Sequence, residues 1–163
     1  MNDTLPERTV RYTGAAYDTA RWDAFKGRDD DIFICTPAKA GTTWAQTIVA
    51  LLLFGWRDFN INPSDASQWF EAKFMPLEEM NKWLDSISHR RFMKSHTPLD
   101  GNPYYPSCTY LTVFRDPRDV FLSFRNHMDN LQIDALRKDD LQIDALRKPM
   151  TADTREAFQS WVE

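Results

Sequence analysis

The sequence predicts an α/β fold in which a parallel sheet is flanked by helices. Short continuous apolar runs, typical of strands buried on both faces, alternate with segments whose apolar residues recur at helical spacing. The first apolar run passes through a glycine-containing turn directly into a helix, which is the order of a phosphate-binding βα unit. The 163 residues fit one domain, and a chain that is 42% hydrophobic and 13% aromatic has enough apolar side chains for a core.

The composition of the chain indicates which partners and which cellular compartment to expect. The chain has a net charge of −4, whereas a non-specific nucleic-acid binder carries a positive charge. No nucleic-acid partner is therefore expected. The longest apolar stretch, Ile48–Trp56, is interrupted by Gly55 and is far shorter than the ~20 residues that span a bilayer. The first residues lack the features of a signal peptide. Cys35 and Cys108 lie in apolar runs, so we expect buried, reduced thiols and a cytoplasmic protein.

The first half of the chain is predicted to contain one buried strand and one helix. Trp22 and Phe25 are interpreted as anchors onto a core formed further along the chain. Ile32–Cys35 is apolar throughout and predicts a buried parallel strand. A helix is predicted over Trp44–Phe54 because apolar residues recur at helical spacing, namely Trp44, Ile48, Leu51 and Leu52. Residues 57–68 are expected to form a loop.

The second half is predicted to contribute two strands and further helices. Pro76–Ser86 has the pattern of a helix with one apolar face, made of Leu77, Met80 and Leu84. Strands are expected at Arg91–His96, where side chains alternate, and at Cys108–Phe114, the most strand-like run in the chain. Asp116 is expected to cap a helix that has Pro117 at its first position and a buried face of Val120, Phe121, Phe124 and Met128.

The C-terminal region contains an octapeptide that occurs twice. Leu131–Lys138 recurs unchanged as Leu141–Lys148, and this shift places the two copies about 80° out of phase on a helix. We interpret residues 131–148 as a duplicated insertion without a function of its own, within a single domain over 1–163. Because the helix-like stretch Thr151–Glu163 runs to the last residue, the fold is expected to be incomplete at the C-terminus.

The turn after the first strand has the composition of a phosphate site. Backbone N–H groups at a helix N-terminus converge on an anion, and the helix dipole favours negative charge there. Gly41 allows a close backbone approach, Lys39 supplies a positive charge, and Thr42 and Thr43 offer hydroxyl groups. A nucleoside-triphosphate loop would have the order Gly-Lys-Ser/Thr, whereas here the lysine precedes the glycine.

Three segments together resemble the PAPS-dependent (cytosolic-type) sulfotransferases, where PAPS is 3′-phosphoadenosine 5′-phosphosulfate. Lys39–Trp44 resembles the family's phosphosulfate loop, Tyr-Pro-Lys-Ser-Gly-Thr-Thr-Trp, and departs from it at Ala40. Phe92–Leu99 resembles the family's Lys-Thr-His-Leu-Pro segment. Val113–Ser123 resembles its Arg-Asn-Pro-Lys-Asp-Val-x-x-Ser block and reproduces the spacing from arginine to serine. The resemblance is strongest to bacterial glycolipid and aryl sulfotransferases, and it implies a P-loop NTPase-like sheet in a C-terminally truncated member.

The resemblance also implies a role for each matching residue. His96 corresponds to the catalytic base, Lys39 would stabilise the leaving oxygen, and Lys94 would contact the sulfuryl group, with no metal required. The residues that would hold PAPS are Lys39, Ala40, Gly41, Thr42, Thr43, Trp44, Arg115 and Ser123. The aromatic side chains at the position of the family's acceptor site are Trp69, Phe70 and Phe74.

The function predicted from this resemblance is sulfuryl transfer from PAPS to a hydroxyl group of a small-molecule or glycolipid acceptor. Two alternatives are carried with it. One is a non-catalytic, truncated remnant that binds nucleotide weakly or not at all. The other is a P-loop kinase-like phosphotransferase, which would need Mg²⁺ and a nucleoside triphosphate. The sequence names neither the acceptor nor the oligomeric state.

Overall fold

A computed structural model describes residues 6–55, 62–130, 151 and 153–162. Within them, three parallel strands form one sheet in the order β2-β1-β3, where β1 is Ile32–Cys35, β2 is Phe92–Ser95 and β3 is Thr109–Thr112. The prediction of a parallel α/β sheet is therefore confirmed. Both copies of the octapeptide lie outside the described residues, so the interpretation of 131–148 as an insertion stays a prediction.

The strands are flanked by helices with bounds close to those predicted. The helices are α1 (Thr42–Phe54), α2 (Pro63–Ala66), α3 (Leu77–Ser86), α4 (Pro117–Asp129) and α5 (Thr154–Val162). Two short 3₁₀ turns lie at Thr19–Ala24 and Leu99–Gly101. The prediction of an uninterrupted loop over 57–68 is wrong at α2, because the Asn62 side chain accepts a hydrogen bond from the Ser64 N–H and caps that helix, and Pro63 occupies its first turn.

The core lies on both faces of β1, whose residues are all buried. Phe33 on one face packs with Trp22 and Phe25, which confirms the predicted anchors, and with Met80 and Leu84 of α3. On the other face, Ile32 and Ile34 pack against α1 and β2 through Ala45, Val49, Ala50 and Phe92. A central strand that is buried on both faces explains why its sequence is apolar throughout.

Helix α1 is apolar on all sides, and the structure decides which side is buried. Val49 and Ala50 face the sheet together with Gln46, whose side-chain amide donates to the Ser67 carbonyl at 2.8 Å. The predicted helix is confirmed, but much of its long apolar stripe is exposed, including Trp44, Ile48 and Leu52. Ala45 and Ala50 allow α1 to lie close to the sheet, and of its larger side chains Leu53 and Phe54 pack against the same core.

Strand β3 is less buried than its strand-like sequence suggested. Three of its four residues are exposed, since β3 forms an edge of the sheet within the described part of the chain. Cys108, just before β3, is half-buried, whereas Cys35 is buried, and both are free thiols. The prediction of two buried thiols is therefore confirmed for Cys35 and wrong for Cys108, which is only half-buried.

A buried ion pair joins the amino ends of β1 and β2. Asp31 and Arg91 are 0% and 1% exposed, and the guanidinium donates through Nε at 2.8 Å and Nη2 at 2.5 Å to the two carboxylate oxygens. Arg91 also donates to the Lys26 carbonyl at 2.9 Å and lies over the Phe25 ring. Two hydrogen bonds in a fork geometry satisfy both charges in a site without water access.

Candidate active site

The three segments singled out in the sequence converge at the carboxyl ends of the three strands. Cys35 pairs with Ser95 on one side and with Thr112 on the other, so the next residues, Thr36, His96 and Val113, start at the same level. The Thr36 N–H donates to the Ser95 carbonyl at 3.0 Å and extends this alignment by one residue. Open α/β sheets bind ligands outside the carboxyl ends of their strands.

The loop between β1 and α1 is wound tightly by two residues with positive φ. Lys39 has φ +66°, and Gly41 has φ +124°. The Ala40 N–H donates to the Pro37 carbonyl at 3.1 Å and closes the turn between them. A Cβ at Gly41 would lie 3.4 Å from the Val113 side chain, so glycine is required here by conformation more than by space. A lysine held in the left-handed region is uncommon, and such residues cluster at functional sites.

The N-terminus of α1 has the features of an anion site. No described side chain caps the helix, and its first turn contains no acidic residue. Thr42 is buried and its hydroxyl lies 2.5 Å from that of Thr36, whereas Thr43 is exposed. The N–H groups at the start of this 13-residue helix are therefore available to an anion, and the helix dipole favours negative charge there.

His96 is held in one tautomer by the backbone of β1. Its Nδ1 lies 2.9 Å from the Thr36 carbonyl oxygen, and a carbonyl can only accept. The neutral ring therefore donates from Nδ1–H, which leaves the lone pair on Nε2 free to take up a proton. The Trp69 indole meets the imidazole in a T-shaped contact, with centroids 4.9 Å apart. The ring is thus fixed on two sides.

The imidazole is neutral well below physiological pH. Burial lowers the pKa of His96 to about 4, and the positive charges of Lys94 and Lys39 act in the same direction. The hydrogen bond to the Thr36 carbonyl raises the pKa, by less than burial lowers it but by more than either lysine does. The resemblance assigns both lysines and this histidine to one reaction, and the structure brings the three together. Lys94 is half-buried; burial lowers the pKa of its ammonium group, and the negative charge of Glu71 opposes that shift.

Arg115 and Ser123 lie along one edge of α4. Arg115 precedes the capping residue Asp116, whose side chain accepts from the Arg118 N–H at 2.9 Å and confirms the predicted cap. The Arg115 guanidinium lies 3.5 Å from the Asp119 carboxylate, one helical turn along. Ser123 follows Asp119 by a further turn, so these three side chains form a line on the helix surface. Arg115 is about half exposed and accessible to a ligand.

The aromatic residues proposed for an acceptor pocket are placed in two different environments. Trp69 contacts His96, and Phe74 packs against Trp69 with centroids 5.9 Å apart. Phe70 is 1% exposed and stacks on Trp22 in the core. The structure therefore brings Trp69 and Phe74 to the histidine, while the side chain of Phe70 faces away from the surface of the site.

Two residues near this edge were not singled out in the sequence. Glu71 is buried beneath His96, and no pattern marks it other than its place after two aromatic residues. His127 lies on the exposed side of α4, close enough to Lys39 for that charge to act on it. Burial lowers the pKa of His127, and Lys39 lowers it further. Neither proximity is visible as a sequence spacing.

A known protein family matches most of this chain. The family described as sulfotransferase domain matches residues 29–163, which is most of the chain. This chain belongs to the sulfotransferase family. The match includes all three segments that converge at the sheet edge, so the family predicted from the loop, histidine and arginine–serine motifs is confirmed.

The relatives of this sulfotransferase chain include bacterial and mammalian enzymes. It is 41% identical over 139 residues to a glycolipid sulfotransferase of Mycobacterium tuberculosis, covering 84% of this chain and 42% of the relative. It is 32% identical over 118 residues to an amine sulfotransferase of Oryctolagus cuniculus, covering 68% and 37% of the two chains. The chain therefore spans well under half the length of these curated relatives.

Solved structures show the same fold. The mouse sulfotransferase SULT7A1 complexed with PAP matches 87% of this chain and 44% of its own, with a TM-score of 0.52 and 19% identity. Retinol dehydratase in a complex with retinol and PAP matches 90% and 56%, with a TM-score of 0.53 and 17% identity. No helix in the described ranges is long and apolar enough to cross a membrane.

Proposed function

We propose that this chain carries the PAPS site and the catalytic base of a sulfotransferase that transfers a sulfuryl group to a hydroxyl acceptor. The observation that carries the proposal is the geometry of His96. Its Nδ1–H donates to Thr36, its Nε2 has no hydrogen-bond partner among the described residues, and it lies near Lys39 and Lys94 at the carboxyl edge of the sheet. This combination supplies a base and positive charge in one place, as sulfuryl transfer requires.

The residues at the sheet edge fit a doubly phosphorylated nucleotide. The 5′-phosphosulfate would be bound by the uncapped N-terminus of α1 together with Lys39. The 3′-phosphate would be bound by Arg115 and Ser123. The indole of Trp44, 78% exposed at the start of α1, suits stacking on a base. The complexes of SULT7A1 and retinol dehydratase with PAP support this choice of nucleotide.

The proposed mechanism assigns one task to each charged group. Bound PAPS supplies the sulfuryl group. His96 takes the proton of the acceptor hydroxyl on Nε2, and the Thr36 carbonyl stabilises the imidazolium that forms. Lys39 and the amides at the start of α1 stabilise the negative charge that develops on the leaving phosphate, and Lys94 stabilises charge on the sulfuryl oxygens.

The acceptor is proposed to be a small molecule or a glycolipid that presents a hydroxyl group to His96. Trp69 and Phe74 offer an apolar surface next to the imidazole. The likeness to a glycolipid sulfotransferase supports an acceptor of that class. The two free thiols favour a cytoplasmic location, where such thiols stay reduced.

Binding and turnover measured together separate the proposed function from its alternatives. Calorimetry with 3′-phosphoadenosine 5′-phosphate, and with ATP and Mg²⁺, tests which nucleotide the site accepts. We expect the bisphosphate to bind more tightly, because ATP lacks the phosphate that Arg115 would hold. Tighter binding of ATP with Mg²⁺ would support the kinase-like alternative, and nucleotide binding without sulfuryl transfer would support the remnant.

Arg115→Ala is expected to weaken binding of 3′-phosphoadenosine 5′-phosphate by about tenfold or more and to leave 5′-AMP nearly unchanged. The reason is the loss of a charge-assisted hydrogen bond, which typically contributes ~1.5–3 kcal/mol. Calorimetry with both nucleotides measures the difference. Arg118→Ala is the matched control, since Arg118 is exposed and pairs with Asp116. Equal losses for the two nucleotides would contradict the assignment of Arg115.

Lys39→Ala is expected to weaken binding of both 3′-phosphoadenosine 5′-phosphate and 5′-AMP and to slow turnover. The reason is that the charge of Lys39 acts in the ground state and in the transition state. The expected loss in affinity corresponds to ~1.5–3 kcal/mol, the usual contribution of a charge-assisted contact. Calorimetry and a radiolabelled sulfate-transfer assay measure the two effects. Lys82→Ala removes an exposed lysine of α3 and serves as the control. Wild-type affinity in Lys39→Ala would remove Lys39 from the site.

A further inference from the structure

Glu71 is a fully buried carboxylate to which the proposed reaction gives no task. It is 0% exposed and lies in a segment held on both sides by backbone pairing. Trp69 forms a parallel bridge with Lys94 of β2, and Ala72 forms an antiparallel bridge with Tyr17 of the N-terminal segment. This pairing places the Glu71 side chain against the end of β2, directly before His96.

One oxygen of Glu71 holds three consecutive residues. Oε1 accepts hydrogen bonds from the Ser95 hydroxyl at 2.6 Å, the His96 backbone N–H at 3.0 Å and the Thr97 hydroxyl at 2.9 Å. The Thr97 N–H in turn donates to the Ser95 hydroxyl at 3.1 Å. Three donors that converge on one oxygen stabilise an ionised carboxylate. The backbone on both sides of the histidine is therefore tied to Glu71.

The second oxygen of Glu71 has no hydrogen bond of normal geometry among the described residues. This oxygen, Oε2, is buried. Burial raises the pKa of Glu71, and hydrogen bonds from Ser95, from a backbone N–H, from Trp69 and from Thr97 oppose that shift. The Trp69 indole therefore acts on the Glu71 carboxyl group as well as contacting the His96 ring.

Among the described residues, the negative charge of Glu71 raises the pKa of three ionisable side chains, namely Arg21, Cys35 and Lys94. Arg21 is held by the carbonyls of Phe70 and Met75 at 3.0 and 2.9 Å. Its guanidinium keeps its charge at any physiological pH. Burial raises the pKa of the Cys35 thiol to about 12, so this group stays neutral. Lys94 is thus the group whose charge depends on Glu71, and Lys94 itself faces His96.

From this arrangement we infer that Glu71 is a positioning residue, which orients His96 through the Ser95–Thr97 backbone and holds Lys94 in its charged form. The inference rests on the proposed function, in which His96 acts as a base and Lys94 as a cation. It explains how His96 can be unprotonated while Lys94, two residues away, is protonated. His96 is neutral, with its ring held by Thr36, while Lys94 two residues earlier has a carboxylate as its counter-charge. A neutral residue at position 71 would leave the half-buried Lys94 without that counter-charge.

Two substitutions of Glu71 separate its charge from its hydrogen bonds. Glu71→Gln keeps the length of the side chain and an acceptor oxygen but removes the charge. Glu71→Asp keeps the charge but shortens the side chain by one methylene, which moves the carboxylate away from the donors of Ser95–Thr97. Glu78→Gln, at an exposed site on α3, is the matched control. The titration of Lys94 is followed by NMR of the ¹³C-dimethylated chain, with the signal assigned by its loss in Lys94→Arg. The His96 ring is followed by its ¹⁵N shifts, and sulfuryl transfer is measured against pH.

In Glu71→Gln we expect the Lys94 titration to move down by about one pH unit or more, the usual effect of losing a close counter-charge. The alkaline limb of the transfer rate is expected to move down with it, because transfer needs the ammonium form. In Glu71→Asp we expect altered His96 ¹⁵N shifts and a kcat reduced about tenfold or more by misplacement, with little change in KM for PAPS. Glu78→Gln is expected to match wild type.

An unchanged Lys94 titration in folded Glu71→Gln would overturn the electrostatic role. Wild-type ¹⁵N shifts and kcat in Glu71→Asp would overturn the orienting role, and this second variant decides the matter if Glu71→Gln does not fold. A wild-type chain that transfers no sulfuryl group would count against the proposed function alone. The two NMR readouts would still test Glu71, since they need no turnover.

Discussion

His96→Ala is expected to slow sulfuryl transfer by ~10²–10⁴-fold, the range typical for removal of a general base. Affinity for 3′-phosphoadenosine 5′-phosphate is expected to stay within about twofold of wild type, because the neutral imidazole contributes no charge to the nucleotide site. A transfer assay and calorimetry on the same preparation measure the two quantities. The control is His89→Ala, which removes a histidine that contacts Phe54 at the opposite end of β2.

A folded His96→Ala protein that keeps more than about a tenth of the wild-type rate would contradict the assignment of the base. A loss of nucleotide affinity as large as the loss in rate would also count against it. That result would assign His96 to ligand binding, and the base would have to be sought elsewhere at the sheet edge, where His127 lies near Lys39.

The low pKa of His96 also predicts how activity and stability depend on pH. The base is active when neutral, so the acid limb of kcat/KM is expected near pH 4, where the ring gains a proton, and not near the 6.5 of a free imidazole. Between pH 6.5 and about 4 the unfolded chain binds a proton that the folded chain does not. Stability therefore falls as the pH falls through this window, by up to ~1.4 kcal/mol per pH unit from this group. Urea unfolding against pH checks the slope, which His96→Ala is expected to reduce.

Arg91→Ala is expected to lower the free energy of unfolding by ~3–5 kcal/mol, the usual cost of removing one partner of a buried ion pair. The substitution leaves the Asp31 carboxylate buried without its two guanidinium hydrogen bonds and also removes the contact with the Phe25 ring. Urea unfolding monitored by tryptophan fluorescence measures the change, because Trp22 lies in the same core.

Two further variants test the reason for this loss. Lys82→Ala breaks an exposed ion pair with Glu78 and is expected to change the free energy of unfolding by less than ~0.5 kcal/mol. Arg91→Met combined with Asp31→Asn removes both charges and is expected to recover part of the stability, because no unpaired charge stays buried. An Arg91→Ala protein with a loss below ~1 kcal/mol would show that the pair is solvated in solution.

The order of the elements and the family were accessible from the sequence because they depend on local patterns. Ile32–Cys35 is apolar throughout since β1 is the central strand of its sheet, and Asp116 with Pro117 has the composition of a helix start. The loop of Lys39–Trp44 and the segments around His96 and Arg115 are short, and each contains its own spacing. Their common edge follows from one rule, that parallel strands end on the same side.

Other features of the fold could not be predicted because the sequence pattern is ambiguous. Helix α1 is apolar all round, so its periodicity indicates a helix but not the buried face, and only packing selects Val49 and Ala50 over Trp44 and Leu52. Strand β3 has the residues of a buried strand but lies at an edge of the described sheet. The exposure of β3 depends on which strands lie beside it, and the order of strands in a sheet cannot be derived from the residues of one strand.

The sequence by itself determined the family, the parallel sheet and the three segments of the candidate site. Tertiary structure alone decided the chemistry of His96. Its tautomer depends on a carbonyl 60 residues away, and its backbone N–H donates to a carboxylate 25 residues away. Its pKa depends on burial that no local pattern encodes. Protonation states are set by solvation and by charges within a few ångströms, and the folded chain brings these together from distant parts of the sequence.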